Sequence, residues 1–299
     1  MEGVALSPPR VLLALLESMR PRQWIKNLIL FAPLLFAKQV GDPVRLIHSV
    51  AAFALFCAIS GVVYLFNDLV DRERDRHHPL KSSRPLASGR LAVSLAIPFA
   101  AVVLTASLAA SFALSLPFGA IALAYLLTNV AYSLYFKQLV ILDVMIIGLG
   151  FVLRALAGAV AIDVEISPWL ILCTILLSLF LAFCKRRQEL ETLLRGAGDH
   201  RVSLQEYSVA FLDQMISIVT AATVVCYSFY TISPEVEQKL GTRHLFLTIP
   251  FVLYGIFRYL YLVHRRGQGG NPATSLLTDH PLLLCVALWA AVVGLILYH

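Results

Sequence analysis

Asn67, Asp68, Asp71 and Asp75 stand within one short run, Asn67-Asp68-Leu69-Val70-Asp71-Arg72-Glu73-Arg74-Asp75. On a helix the three aspartates fall at i, i+3 and i+7 and share one stripe, stacked a turn apart. Carboxylates so placed repel one another unless a cation sits among them. The donors are all hard oxygens, which suits Mg²⁺ over zinc or copper, and Mg²⁺ bound this way commonly completes its shell with substrate phosphates. The pattern predicts a Mg²⁺–diphosphate site with Asn67, Asp68, Asp71 and Asp75 as ligands. The plainer alternative is a solvated, charged helix end after an apolar run.

Cations are spread through the rest of the chain in positions that could meet those phosphates. Lys81 and Arg84 lie in His78-Pro79-Leu80-Lys81-Ser82-Ser83-Arg84-Pro85-Leu86-Ala87-Ser88-Gly89-Arg90. Its prolines, glycine and serines predict a loop, from which both side chains can reach phosphate oxygens. Lys26 and Asn27 close the run Arg20-Pro21-Arg22-Gln23-Trp24-Ile25-Lys26-Asn27 at the start of an apolar stretch, where a charge is costly unless it lines a polar cavity. Asp143 opens another apolar stretch, and Arg154 lies well inside it. On a helix the two share a side about 16 Å apart along the axis. Arg154 is expected to face an interior polar site, or to serve a structural ion pair. Lys185-Arg186-Arg187-Gln188-Glu189-Leu190-Glu191 ends a further apolar run, with Lys185 and Glu189 at i and i+4. Three consecutive cations there read equally well as a stop signal for insertion. Tyr207 opens the next run, where it could hydrogen-bond a phosphate or simply mark the interface.

The elements that must hold these residues are membrane spans. Of 299 residues 59% are hydrophobic and only 14% charged, which excludes a soluble domain and implies an integral, all-α membrane protein. About nine spans are expected, near Gln23–Phe36, Leu46–Phe66, Leu91–Leu114, Pro117–Phe136, Val140–Ile162, Pro168–Phe183, Phe211–Ile232, Leu245–Val263 and Pro281–Tyr298. The first and sixth are short for a hydrocarbon core about 30 Å thick. With the N-terminus inside, eighteen of the 24 Lys and Arg fall in cytoplasmic segments and four in outer loops, while Arg154 and Arg258 lie within spans. The acidic stripe then faces the cytoplasm, residues 1–22 form a cytoplasmic segment, and residues 1–299 form a single transmembrane domain. Cys57, Cys173, Cys184, Cys226 and Cys285 sit in or at the ends of apolar runs without ligand spacing and read as small buried hydrophobes.

The two motifs resemble the UbiA-type family of intramembrane prenyltransferases. That family carries N-D-x-x-D-x-x-x-D after its second span and K-x-x-R-P-x-x-S-G beyond it, here Asn67 to Asp75 and Lys81 to Gly89. The family usually repeats an aspartate cluster after the sixth span, where this chain has Lys185-Arg186-Arg187-Gln188-Glu189. That exchange, with the Arg20–Asn27 run and the Asp143 and Arg154 pair, resembles the decaprenyl-phosphate phosphoribosyltransferase branch. The resemblance implies a nine-span bundle in a bacterial inner membrane with the site on the cytoplasmic face. It also implies Mg²⁺ as cofactor, and transfer of 5-phosphoribose from phosphoribosyl diphosphate to a polyprenyl phosphate. Asp68, Asp71 and Asp75 would be catalytic; Lys26, Asn27, Arg74, Lys81, Arg84, Lys137, Asp143, Arg154, Lys185, Arg186, Glu189 and Tyr207 would bind substrate. Membrane lipids are expected partners, nucleic acid is not, and a homo-oligomer is compatible with the pattern. Two alternatives stand beside this one: prenylation of an aromatic ring from a prenyl diphosphate, and an anion or lipid transporter without chemistry.

Overall fold

The computed structural model of the chain describes residues 8–77, 81–194, 204, 206–267 and 269–298. Helix α1 (Pro8–Ser18) is followed by a 3₁₀ segment, Pro21–Phe31, and the short α2 (Ala32–Phe36). The first long span is α3 (Pro43–Val70), continued after a hitch at Asp71 by α4 (Arg72–His77). Then come α5 (Val93–Leu114), α6 (Leu116–Leu134), α7 (Leu142–Ala161), α8 (Pro168–Leu194) and α9 (Val209–Ile232). The chain ends with α10 (Pro234–Leu240), α11 (Ile249–Arg266), α12 (Pro272–Thr278) and α13 (His280–Tyr298). The described residues include no strand.

Among them, eight helices are long and apolar enough to cross a bilayer. The first expected span is built differently. Its 3₁₀ segment rises about 2.0 Å per residue, so together with α2 it extends roughly 30 Å with fewer residues than an α-helix needs. The sixth expected span is not short either, because α8 runs on through Lys185–Glu191 to Leu194. That extension is possible because its arginines find acids inside the bundle.

Helix boundaries follow from local chemistry. Asp42 caps α3, its Oδ1 accepting from the amides of Val44 (2.9 Å) and Arg45 (3.2 Å), with Pro43 as the first helical residue. Ser115 alone separates α5 from α6 and caps the latter through Phe118 N (3.2 Å). Ser208 caps α9 in the same way, through Phe211 N at 3.1 Å. Gly241 and Gly267, at φ of 66° and 61°, end α10 and α11 in the left-handed turn that glycine adopts without penalty.

The helices pack mostly against their sequence neighbours, with α3 and α7 also in contact and both touching the 3₁₀ segment. These two spans are the most buried, whereas α5 turns Leu95, Ile97 and Val102 outward, as a lipid-facing helix does. Leu30, Phe56, Phe118, Tyr125 and Ala157 form the core where the 3₁₀ segment, α3, α6 and α7 meet. Gly158 permits the closest of these approaches, since a Cβ there would lie 2.2 Å from the Leu30 carbonyl oxygen. Outside the spans Glu17 of α1 takes a two-pronged ion pair from Arg90, both contacts 2.8 Å. Those hydrogen bonds hold the Glu17 carboxyl below its ordinary range.

Candidate active site

The acidic stripe ends α3 as expected, but its members divide. Asp68 and Asp75 are each only 2% exposed. Both turn to one atom, Arg84 Nη1, which lies 3.1 Å from Asp68 Oδ1 and 2.5 Å from Asp75 Oδ2. Arg20 donates to the same Asp68 oxygen. Asp71, at the hitch between α3 and α4, turns aside to Lys137 Nζ at 3.0 Å. Asn67 Oδ1 accepts from Ser133 Oγ on α6. The i, i+3, i+7 stripe is thus not uniform: backbone hydrogen bonds persist across Asp71, yet its φ of −92° and ψ of 6° break the rotation.

No three carboxylate, imidazole or thiolate groups among the described residues are gathered closely enough to hold a metal ion as they stand. The donor chemistry nevertheless fits a hard divalent cation. Two carboxylate oxygens already converge on one positive atom, with only oxygen donors and no nitrogen or sulfur ligand on the stripe.

A second centre lies toward the C-terminal end of α8. Arg186, 1% exposed, donates from Nε to Asp143 Oδ2 (2.6 Å), from Nη1 to Glu189, and from Nη2 to the Tyr132 hydroxyl (3.0 Å). Tyr207 donates to Asp143 Oδ1 (2.8 Å) and accepts from Ile141 N (2.7 Å). Burial pushes its phenol above the ordinary range, which keeps it a donor. Arg186 and Tyr207, both expected to bind substrate, are here engaged with Asp143 in one closed hub. Arg187 likewise turns to Asp213 (2.5 Å) and Glu191 (2.7 Å), and Lys185, partly exposed, lies 3.7 Å from Glu189.

A third group sits deeper. Arg154, on α7, donates to Asn27 Oδ1 (2.7 Å), the Gly150 carbonyl (2.9 Å) and the Tyr125 hydroxyl (2.6 Å), and packs on the Tyr125 ring at 4.6 Å. Asn27 in turn donates to Ser60 Oγ at 3.2 Å. Gly158 lies one turn along α7 from Arg154 and fixes this alignment by letting the backbone at Leu30 close in. Gly158→Val is expected to push the 3₁₀ segment off α7 and break the Asn27–Arg154 bond. A displacement of that kind is expected to cost about a hundredfold in turnover. The measurement is initial rate on protein shown to be inserted, and full activity would show that the close approach is dispensable.

Of the other expected residues, Lys81 is partly buried at the start of its loop, whereas Arg74 is exposed on α4 and makes no hydrogen bond to the carboxylates. Sequence reasoning passed over Tyr125, Asn129, Tyr132 and Ser133. Their spacing of four, three and one is a polar stripe on an otherwise apolar helix, and that was the available signal. Adjacent residues Tyr132 and Ser133 reach the two centres in turn, Arg186 and Asn67. The acidic and cationic centres are therefore joined through α6.

Comparison with known proteins places this arrangement. The profile of the UbiA prenyltransferase family matches residues 28–277. The chain belongs to the UbiA prenyltransferase family. It is 33% identical to the decaprenyl-phosphate phosphoribosyltransferase of Mycolicibacterium smegmatis, over 97% of this chain and 95% of that one. A protein of the same name from Corynebacterium glutamicum is 32% identical over 97% and 89%. Among solved structures, a UbiA homologue from Archaeoglobus fulgidus bound to GPP and Mg²⁺ superposes with a TM-score of 0.71. It is 21% identical, covering 94% of this chain and 98% of that one. The fold is that of UbiA membrane proteins, and the chain is an integral, multi-pass member of the family.

Proposed function

We propose that this UbiA-family enzyme transfers 5-phosphoribose from phosphoribosyl diphosphate to a polyprenyl phosphate, releasing diphosphate. The observation that carries the reading is the charge at two helix ends. The end of α3 offers paired carboxylates for one metal-bound diphosphate. The end of α8 is built on arginines, and Asp143, Glu189, Glu191 and Asp213 around it are all matched to Arg186 or Arg187. Because Arg186 and Arg187 take up these carboxylates, the end of α8 offers no second metal-held diphosphate site of the kind an aspartate cluster would make there. The named relatives point the same way.

Asp68 and Asp75 would hold the cation, with Asp71 and Asn67 completing the set. A Mg²⁺ ion, when bound, supplies neutralisation of the charge that grows on the departing diphosphate. Arg84 and Arg20, released from the carboxylates, take up phosphate oxygens, and Lys81 and Lys137 add donors at the rim. The Arg186 hub fixes the ends of α7 and α8, with Lys185 partly exposed at its edge. The bond from ribose C1 to the diphosphate oxygen breaks, and its electron pair leaves with diphosphate. A phosphate oxygen of the lipid forms the new bond to C1 from the opposite face, so the configuration inverts. A phosphate monoester is already anionic near neutral pH, and no proton need be removed from it. The cytoplasmic face of a bacterial inner membrane suits this placement, because the cations crowd the same side as the carboxylates.

Membranes containing the protein, given radiolabelled phosphoribosyl diphosphate and a polyprenyl phosphate, are expected to yield a lipid heavier by one phosphopentose. Labelled prenyl diphosphate with an aromatic acid is expected to yield nothing. The reverse outcome would assign the chain to aromatic prenylation.

A further inference from the structure

Positive charge in the bundle interior is matched by acids in most places. Arg186 has Asp143 and Glu189, Arg187 has Asp213 and Glu191, and Arg258 has Asp279 at 2.8 Å. Arg154 differs. It is 6% exposed, and all three of its hydrogen-bond partners are neutral: Asn27, Gly150 and Tyr125. A guanidinium has five N–H donors, so two remain. Beside Asn27 in the chain stands Lys26, whose ammonium makes no hydrogen bond or ion pair among the described residues. The charged groups that act on it, Arg154 and Arg20, are both cations. A buried, uncompensated guanidinium with a second, partly buried cation near it is costly unless an anion joins them.

The position of the pair narrows the choice of anion. Asn27, which follows Lys26 and accepts from Arg154, donates to Ser60, two turns before Asp68 on α3. Lys26 and Arg154 therefore sit on the membrane side of the carboxylates. Tyr125, which Arg154 touches, belongs to the apolar core of Leu30, Phe56, Phe118 and Ala157, surroundings that suit a lipid better than a free sugar. Two charges and five vacant donors match a phosphate monoester, which carries about −1.5 to −2 near pH 7. We propose that Lys26 and Arg154 seat the phosphate of the polyprenyl phosphate acceptor beneath the carboxylate centre. The name of the ligand rests on the phosphoribosyl-transfer reading; the seat itself is testable without turnover.

Trp24, two residues from Lys26, reports binding by its fluorescence in lipid nanodiscs. The probes are farnesyl phosphate, farnesol, inorganic phosphate, ribose 5-phosphate, and phosphoribosyl diphosphate with Mg²⁺. Farnesyl phosphate is expected to bind the unaltered protein, and Lys26→Gln to weaken it about tenfold or more, as loss of a buried charge-assisted contact does. Lys26→Arg should recover most of that affinity. Farnesol binding should be the same in the unaltered protein and in Lys26→Gln, which also shows that the variant is folded. Phosphoribosyl diphosphate should bind both within a factor of about two, comparable to the scatter of a neutral site. The seat is overturned if farnesol binds as tightly as farnesyl phosphate. It is overturned equally if Lys26→Gln weakens ribose 5-phosphate or phosphoribosyl diphosphate instead, or if inorganic phosphate binds as well as the lipid. Binding of farnesyl phosphate through Lys26 in a protein that consumes no phosphoribosyl diphosphate would confirm the seat and overturn only the transfer reaction.

Discussion

Asp68→Ala is expected to lower Mg²⁺-dependent transfer by at least about a thousandfold, the scale of losing a group that stabilises charge on a leaving group. The side chain is buried and is the meeting point of Arg20 and Arg84. Removing it takes away an expected metal ligand and leaves Arg20 without its acid, while Arg84 keeps Asp75. Asp68→Asn separates these effects, since it keeps the shape and the hydrogen bonds to an amide oxygen but removes the charge. Diphosphate release measured across a Mg²⁺ series should be flat and low for both variants. Recovery at high Mg²⁺ would mean that Asp68 only strengthens binding of the ion, and full activity would remove the metal role. Asp71→Ala should be milder, because Asp71 is partly exposed and turned to Lys137.

The second large effect is on stability. Asp143 is fully buried, and Arg186 is its only cationic partner among the described residues. Arg186→Met strands that carboxylate, and breaking a buried pair by removing one partner costs about 3–5 kcal/mol. Thermal unfolding in detergent should show a clear drop for Arg186→Met. The double variant Asp143→Asn with Arg186→Met should regain most of it, because no charge is left unpaired. Equal losses in the single and double variants would show that the arginine contributes packing and not pairing. Activity should stay low in the double variant even where the fold recovers, since the hub also ties α7 to α8.

Much of this was readable from the chain because its cause is local. The acidic run, the loop after it and the apolar spans are patterns of neighbours, and the structure places them where the spacing says. Most of what was not readable concerns partners far apart in sequence. Asp143 and Arg154 share a side of α7, but which neighbour each meets depends on how that helix is rotated against α8 and the 3₁₀ segment. The rotation takes Asp143 to Arg186 and Arg154 to Asn27. The end of α8 stayed open between two readings for the same reason: Asp143 and Asp213, which engage Arg186 and Arg187, lie far from them in the sequence. The winding of the first expected span was not readable, because nothing in its composition marks the run as 3₁₀ and not α. Asp71 is a subtler case: one residue of altered ψ at the hitch turns its carboxylate to Lys137.

Tyr132 and Ser133 are consecutive on α6, yet one holds the arginine hub and the other the asparagine of the acidic stripe. A tilt or slide of that helix would be felt at both centres. If it shifts when one centre is filled, the free energy of filling the other changes by the same amount in both directions. Donor and acceptor would then answer to one shared strut.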